Sequence, residues 1–194
     1  MIKSKFAAMA VVIIAALSFG ISAQETGEAA ALVGAQREAM VPFAMMDGIW
    51  RGTAWTMRPS GEKHTITMTE RIGPFLNGSV KVIEGKGYEP DGRVSFNALG
   101  ILFYNPVTRA YTFRTYGHGR SGDFVLKPTP EGYVWEIPES GDATVRFTAV
   151  IKDGTYHLVG DQIVPKKGPV RFFEMTLKRL GDTTWPAGGA IPPK

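Results

Sequence analysis

From Gly48 to about Leu180 the sequence alternates apolar and polar residues with a period of two, and turn chemistry interrupts the alternation every 8–14 residues. The interruptions read RPSGEK, GPFLNG, EPDG, NPVTR, GHGRSGD, PTPEG, ESGD, KDG and PKKGP. They delimit ten predicted strands: 49–57, 64–72, 79–88, 93–104, 110–117, 123–128, 132–137, 143–152, 154–164 and 170–180. Strand side chains point alternately to opposite faces, so each segment can bury one face. Gly, Pro, Asn and Asp turns join such neighbours as hairpins, giving an antiparallel meander. No segment of crossover-helix length lies between the strands, which excludes a parallel sheet. A meander this long removes its edges by closing on itself. The predicted fold is therefore all-β, an antiparallel up-and-down barrel of about ten strands with a short N-terminal helix.

The first residues have a different character. MIKSKF is followed by AAMAVVIIAALSFGI and then S-A-Q, the order of a basic start, an apolar core and a small residue expected of a secretory signal peptide. Cleavage is expected after Ala23, with a periplasmic or secreted location. The run is shorter than the ~20 apolar residues a helical span needs, so no membrane span is expected after its removal. The chain contains no cysteine, which excludes disulfides, thiolate metal sites and a lipid-carrying cysteine. Without Lys3 and Lys5 there remain 20 Lys and Arg against 18 Asp and Glu, a net +2. These charges are interspersed, a solvated surface with no nucleic-acid stripe. Residues 24–47 are predicted to be a helical segment, with Leu32, Val33, Gln36 and Met40 on one face and Pro42 ending or restarting it. The organisation expected is 1–23 signal peptide, 24–47 helical segment, 48–181 barrel and 182–194 tail.

The stretch 114–124, RTYGHGRSGDF, contains a complete G-x-G-x-x-G at Gly117, Gly119 and Gly122. That fingerprint binds a dinucleotide when a helix N-terminus follows the glycines and receives the pyrophosphate. Here a strand-like DFVLKP follows instead, so the glycines are read as positive-φ positions of a hairpin loop. An outer-membrane barrel also alternates, but SVKVIEGKGY and ATVRFTAVIK are read as carrying charges on both faces, and no aromatic girdle recurs.

Residues 47–55, DGIWRGTAW, resemble the start of lipocalin-like (calycin) barrels, where Gly-x-Trp opens the first strand after a short helix. The resemblance implies that Gly48 and Trp50 sit at one closed end, with Lys178 or Arg179 of the last strand stacked over the indole. Such closure would combine area burial with a cation–π contact. DGIWRGTAW, TERIGPFLNGSVKVIEG, FNALGILFYN, GYVWEIP and RFFEMTLKRLGD together are similar to a family of exported proteobacterial proteins with a lipocalin-like domain. That resemblance implies a location and a fold, with no chemistry attached. A more distant resemblance is to the nitrobindins, ten-stranded haem-binding barrels whose Gly-x-Trp-x-Gly corresponds to Gly48, Trp50 and Gly52. Their iron-ligating His lies around the last strand, whereas no His here follows His157. The expected cofactor is none, with haem as the alternative.

The histidines are His64, His118 and His157. His157 with Asp161 could ligate a metal or orient an imidazole if that face points inward; His64 and His118 are expected in solvent. Neither H-E-x-x-H nor G-x-S-x-G occurs. More informative are the polar residues set within apolar strands. Arg114 and Tyr116 share one face, Glu136 follows Trp135, Arg146 lies in TVRFTAV and Glu174 in RFFEMTL. With those faces inward, Arg114, Tyr116, Trp135, Glu136, Arg146 and Glu174 would form a ligand-binding lining, and Arg114 with Tyr116 would hold an acidic head. With the faces outward they are solvated rungs, and a one-residue slip exchanges the two. The function expected is an exported barrel binding a small apolar or amphipathic ligand, an anionic one included. The alternatives are a barrel enzyme, such as a haem-dependent one or an isomerase, and an envelope protein with a packed interior.

Overall fold

A computed structural model describes residues 26–185. The expected signal peptide, 1–23, and the tail beyond residue 185 lie outside them. Residues 26–35 belong to a separate compact unit from Gln36 onward; they are helical and exposed, including Leu32 and Val33. The predicted apolar face is thus corrected to its C-terminal part. Gln36 donates to the Tyr104 carbonyl at 2.7 Å and Met40 is buried.

Ten strands follow: β1 Gly48–Met57, β2 Lys63–Phe75, β3 Val80–Tyr88, β4 Val94–Asn105, β5 Ala110–Gly117, β6 Arg120–Thr129, β7 Gly132–Pro138, β8 Thr144–Lys152, β9 Thr155–Val164 and β10 Gly168–Gly181. They close into one antiparallel barrel in sequence order, with β1 paired to β10. This is the expected up-and-down architecture, consistent with a lipocalin-like calycin fold. A short 3-10 segment, Val41–Met46, precedes β1.

The largest boundary differences, three residues each, are at the end of β2, which runs on through Gly73, Pro74 and Phe75, and in GHGRSGD. β6 begins at Arg120, because Gly117 pairs with Arg120 across a two-residue turn. His118 and Gly119 have φ of 51° and 70°, the left-handed pair that a tight hairpin between twisted strands requires. Only one of the three fingerprint glycines therefore serves the turn. Gly117 and Gly122 line the interior, where a Cβ on Gly122 would meet the Phe124 ring at 2.6 Å.

Alternation sorts the charges. Ion pairs Arg71–Glu84, Arg114–Asp123, Arg146–Glu136, Lys152–Glu131 and Arg171–Asp161 lie on the outer face. That is the reverse of the apolar exterior of a membrane-embedded barrel. In β3 Lys81 points inward and Glu84 outward, but Arg146 and Lys152 of β8 share the outer face, correcting the expectation for that strand. Among the described residues no helix is long and apolar enough to cross a membrane.

Candidate ligand cavity

One end of the barrel is filled. Trp50 is buried and its indole N–H donates to the Met46 carbonyl at 2.9 Å. Phe43 and Met46 of the 3-10 segment are buried with Ile72, Leu102, Leu126 and Leu177 in the same core. Tyr111 packs edge-on to Phe43 at 5.2 Å and donates its hydroxyl hydrogen to the Ala39 carbonyl at 2.8 Å. An apolar 3-10 plug thus completes this end, which will be called the floor.

The expected cation–π lid over Trp50 is corrected. Arg179 does stand opposite Trp50 in the β1–β10 register. Its guanidinium instead donates to the Asp47 carbonyl at 3.2 Å and pairs with Asp182 at 2.5 Å. Lys178 points outward and donates to Thr155 Oγ1 at 2.5 Å. The cation–π contacts are formed by Lys63 over Trp55 and Arg71 over Trp185. Gly48 is required for close approach, since a Cβ there would lie 2.7 Å from the Gly181 carbonyl oxygen. An ion pair that the sequence did not announce, buried Lys81 with half-buried Asp47, also belongs to the floor. Burial lowers the Lys81 ammonium below its ordinary range, and the Asp47 hydrogen bond opposes that shift.

Beyond Trp50 the interior opens into a cavity of about 610 Å³. Its walls are Phe96, Phe113, Phe124, Trp135, Phe147, Phe172 and Phe173, with Ile66, Met68, Ile83, Leu158 and Met175 between them. Two local devices make the room. Inward glycines let rings lie against backbone: a Cβ on Gly100 would meet Phe113 at 2.6 Å, and one on Gly160 would meet Phe147 at 2.9 Å. The β10 register also shifts between Arg171 and Phe173. A bulge adds one residue to one strand and re-aims its side chains, and here Phe172 and Phe173 both reach the cavity beside Phe147.

At the boundary between floor and cavity stands Glu70, opposite Trp50 on β1 and Gly85 on β3. It is buried, and its Oε2 has no hydrogen-bond partner. Burial pushes its carboxyl up to about 8, because a low-dielectric site disfavours the charged form. Across the interior Tyr133 and Tyr156, both fully buried, share a short hydroxyl–hydroxyl hydrogen bond. Burial raises both phenols, and the neighbouring Glu70 carboxylate adds to the shift. Tyr156 also packs edge-on to Trp50 at 5.7 Å. All three polar side chains line the cavity.

Of the predicted lining, Trp135 is in place, stacked on Phe147 at 4.5 Å. The inward reading of the others is corrected. Arg114 is on the outer face, about half exposed, in a bidentate pair with Asp123. Tyr116 shares that face, is exposed and borders only the mouth. Glu136 pairs with Arg146 at 2.6 Å outside, and Glu174 pairs with His157 at 3.0 Å outside. His157 therefore does not join Asp161, which Arg171 holds at 2.6 Å, and it is absent from the cavity lining. His64 is held between Arg58 at 2.8 Å and Glu89 at 3.1 Å, bordering the mouth with His118.

Glu70 was missed, although the sequence carries its signal. In I-T-M-T-E-R-I the residues Ile66, Met68 and Ile72 occupy one phase, and Glu70 is the charge in that phase. The wall has one seam. β6 and β7 pair from Leu126↔Trp135 to Thr129↔Gly132 only, and Phe124 and Trp135 separate the cavity from an outer depression there.

No protein-family model matches the chain, and comparison with curated proteins returns no match. The class is defined by the architecture itself, a closed ten-stranded antiparallel barrel of lipocalin-like form with a cavity above a plugged floor.

Proposed function

We propose that this protein binds a small, largely apolar molecule inside the upper barrel, acting as an exported carrier or scavenger. One observation carries the reading: a 610 Å³ cavity walled by seven aromatic rings, with a few buried polar groups at its inner end. Ligand sites are concave and mostly apolar, with a small number of polar groups that fix orientation. The signal-peptide pattern of residues 1–23, with the resemblance of DGIWRGTAW to exported lipocalin-like proteins, supports the location. The inner polar groups redirect the expected ligand chemistry. With Arg114 outside and Glu70 inside, a carboxylate head would meet a second acid, so an anionic ligand is disfavoured.

Titration with a neutral, fluorescent naphthalene probe tests the reading. One saturable site per chain is expected, weakened at least tenfold by Ala98→Phe, which places a ring in the cavity from β4. Absence of saturable binding, or equal affinity in a folded Ala98→Phe variant, would contradict it.

The same Glu70 favours a second reading, proton transfer inside the barrel. A carboxyl perturbed by burial beside phenols is a common acid–base arrangement. Glu70-dependent exchange of α-protons of a bound apolar ketone with D₂O would support that reading; equal exchange in Glu70→Gln would remove it.

A further inference from the structure

Charges inside and on this barrel are generally matched. Lys81 has Asp47 at the floor, and Glu84, Glu89, Asp123, Glu136, Asp161 and Glu174 each have a basic partner. Glu70 breaks the pattern, since among the described residues no cation pairs with it. A buried acid without a hydrogen bond is costly, and this one lines a cavity large enough for a ligand. Its surroundings are rich in acceptors and, among the described residues, hold no cation. The Tyr133–Tyr156 pair uses one of its two phenolic hydrogens between the two oxygens, so lone pairs remain on both and one hydrogen is left over. The walls present the faces and edges of Phe113, Trp135 and Phe147, and ring faces attract cations.

We propose that the cavity takes apolar primary amines, with the ammonium group against Glu70 and the Tyr133–Tyr156 hydroxyls and the hydrocarbon body among the aromatic walls. This rests on the cavity being a ligand site and names the class of ligand. An ammonium brings three donors and a positive charge, and the inner end offers carboxyl and phenol oxygens but no cation. An alcohol of the same length donates one hydrogen bond where the ammonium donates three, carries no charge and leaves the carboxyl neutral. A carboxylic acid adds a second acid beside the first.

Amine binding also has a proton signature. The ammonium selects the ionised form of Glu70, which burial makes the minor form below about pH 8. Its apparent affinity then scales with that fraction. The other titratable groups facing this space are Tyr133 on β7 and Tyr156 on β9. His64 of β2, Tyr116 of β5, and His118 and Arg120 beside the β5–β6 turn are at the mouth. Below lie Lys81 of β3, held by Asp47, and Arg179 of β10, held by Asp182. β4 and β8 contribute no titratable lining residue.

The experiment is displacement of the neutral naphthalene probe by decylamine, decanol and decanoic acid at pH 6, 7 and 8. Wild type and Glu70→Gln are compared, with folding checked by circular dichroism. Decylamine is expected to bind tightest at pH 8, weakening about fivefold from pH 8 to 7 and about tenfold from pH 7 to 6, while decanol stays constant and decanoic acid is weakest. Glu70→Gln should reduce decylamine affinity at pH 8 at least tenfold and abolish most of its pH slope. Decanol should change less than about threefold, and any contribution from His64 or His118 should persist in the variant. Decanol matching decylamine without a pH slope overturns the amine assignment while the ligand cavity stands. Failure of the probe itself to bind removes both. Should Glu70→Gln misfold, the wild-type slope and the amine-to-alcohol ratio still decide.

Discussion

The floor and the upper cavity are built by the same strands and the same inward alternation, yet one is solid and the other hollow. At the floor, large aliphatic residues from the strands meet Trp50 and a 3-10 plug carrying Phe43 and Met46. Above it, glycines on β3, β4, β6 and β9 let aromatic rings lie flat against the wall. The buried charges follow the same division. Lys81 in the floor has Asp47, whereas Glu70 at the cavity has no counter-charge among the described residues. The contrast teaches where stability resides and where the proposed binding would: packed, paired groups hold the barrel shut, and unfilled, unpaired ones face the cavity.

Breaking the floor should have the largest effect. Trp50→Ala removes a fully buried indole and is expected to cost about 3–5 kcal/mol in chemical denaturation; a loss under about 1 kcal/mol would mean the floor is not a core. Next is Asp47→Ala, which leaves Lys81 buried without its partner. A loss of roughly 2–4 kcal/mol is expected, largely relieved by adding Lys81→Met. No relief in the double variant would show that the pair is not what matters there.

The unpaired acid should give a pH effect of opposite kind. Folded protein keeps the Glu70 proton up to about pH 8, against 4.5 for a solvent-exposed carboxyl such as that of the unfolded chain. Between those values the folded state binds more protons than the unfolded state, so stability falls as pH rises. The slope from this group approaches about 1.4 kcal/mol per pH unit within that window, and Glu70→Gln should flatten it and be the more stable protein at pH 8. Equal slopes in urea titrations at pH 5, 6, 7 and 8 would refute this.

Smaller still, Phe124→Ala at the half-buried cavity wall is expected to cost about 1 kcal/mol, well short of the floor tryptophan, while shifting probe affinity. A cost equal to that of Trp50→Ala would erase the distinction between the two regions. Smallest of all, Arg114→Ala should leave probe affinity unchanged, since its guanidinium lies outside with Asp123; weaker binding would return it to the site.

Much of the fold was legible because turns and period-two alternation are local. All ten strands were predicted, and the clear misses in extent were Gly73–Phe75, where Gly and Pro looked like a turn, and Arg120–Gly122, where the Gly122 that makes room for Phe124 looked like loop. Phase was harder. Arg114 and Tyr116 do share a face, but which face is inward depends on closure of the whole barrel. Glu136, Arg146 and Glu174 were misplaced for the same reason, although Trp135 lies in the opposite phase from its neighbour Glu136. The phase of β2 was readable, since Glu70 interrupts Ile66, Met68 and Ile72. The Asp47 partner of Lys81 and the plug residues Phe43 and Met46 come from outside the strand pattern, so alternation could not reveal them. Of the described residues of the expected tail, 182–185, Trp185 packs on the barrel: it lies edge-on to Phe75 at 5.7 Å, under Arg71.

The most direct measurement is a crystal structure of the protein saturated with the naphthalene probe. The expected result is probe density inside the barrel above Trp50, between Phe113, Trp135 and Phe147, with the floor unchanged. Density confined to the outer surface, with the cavity collapsed by inward movement of those rings, would contradict the division of the barrel into a packed floor and a binding cavity.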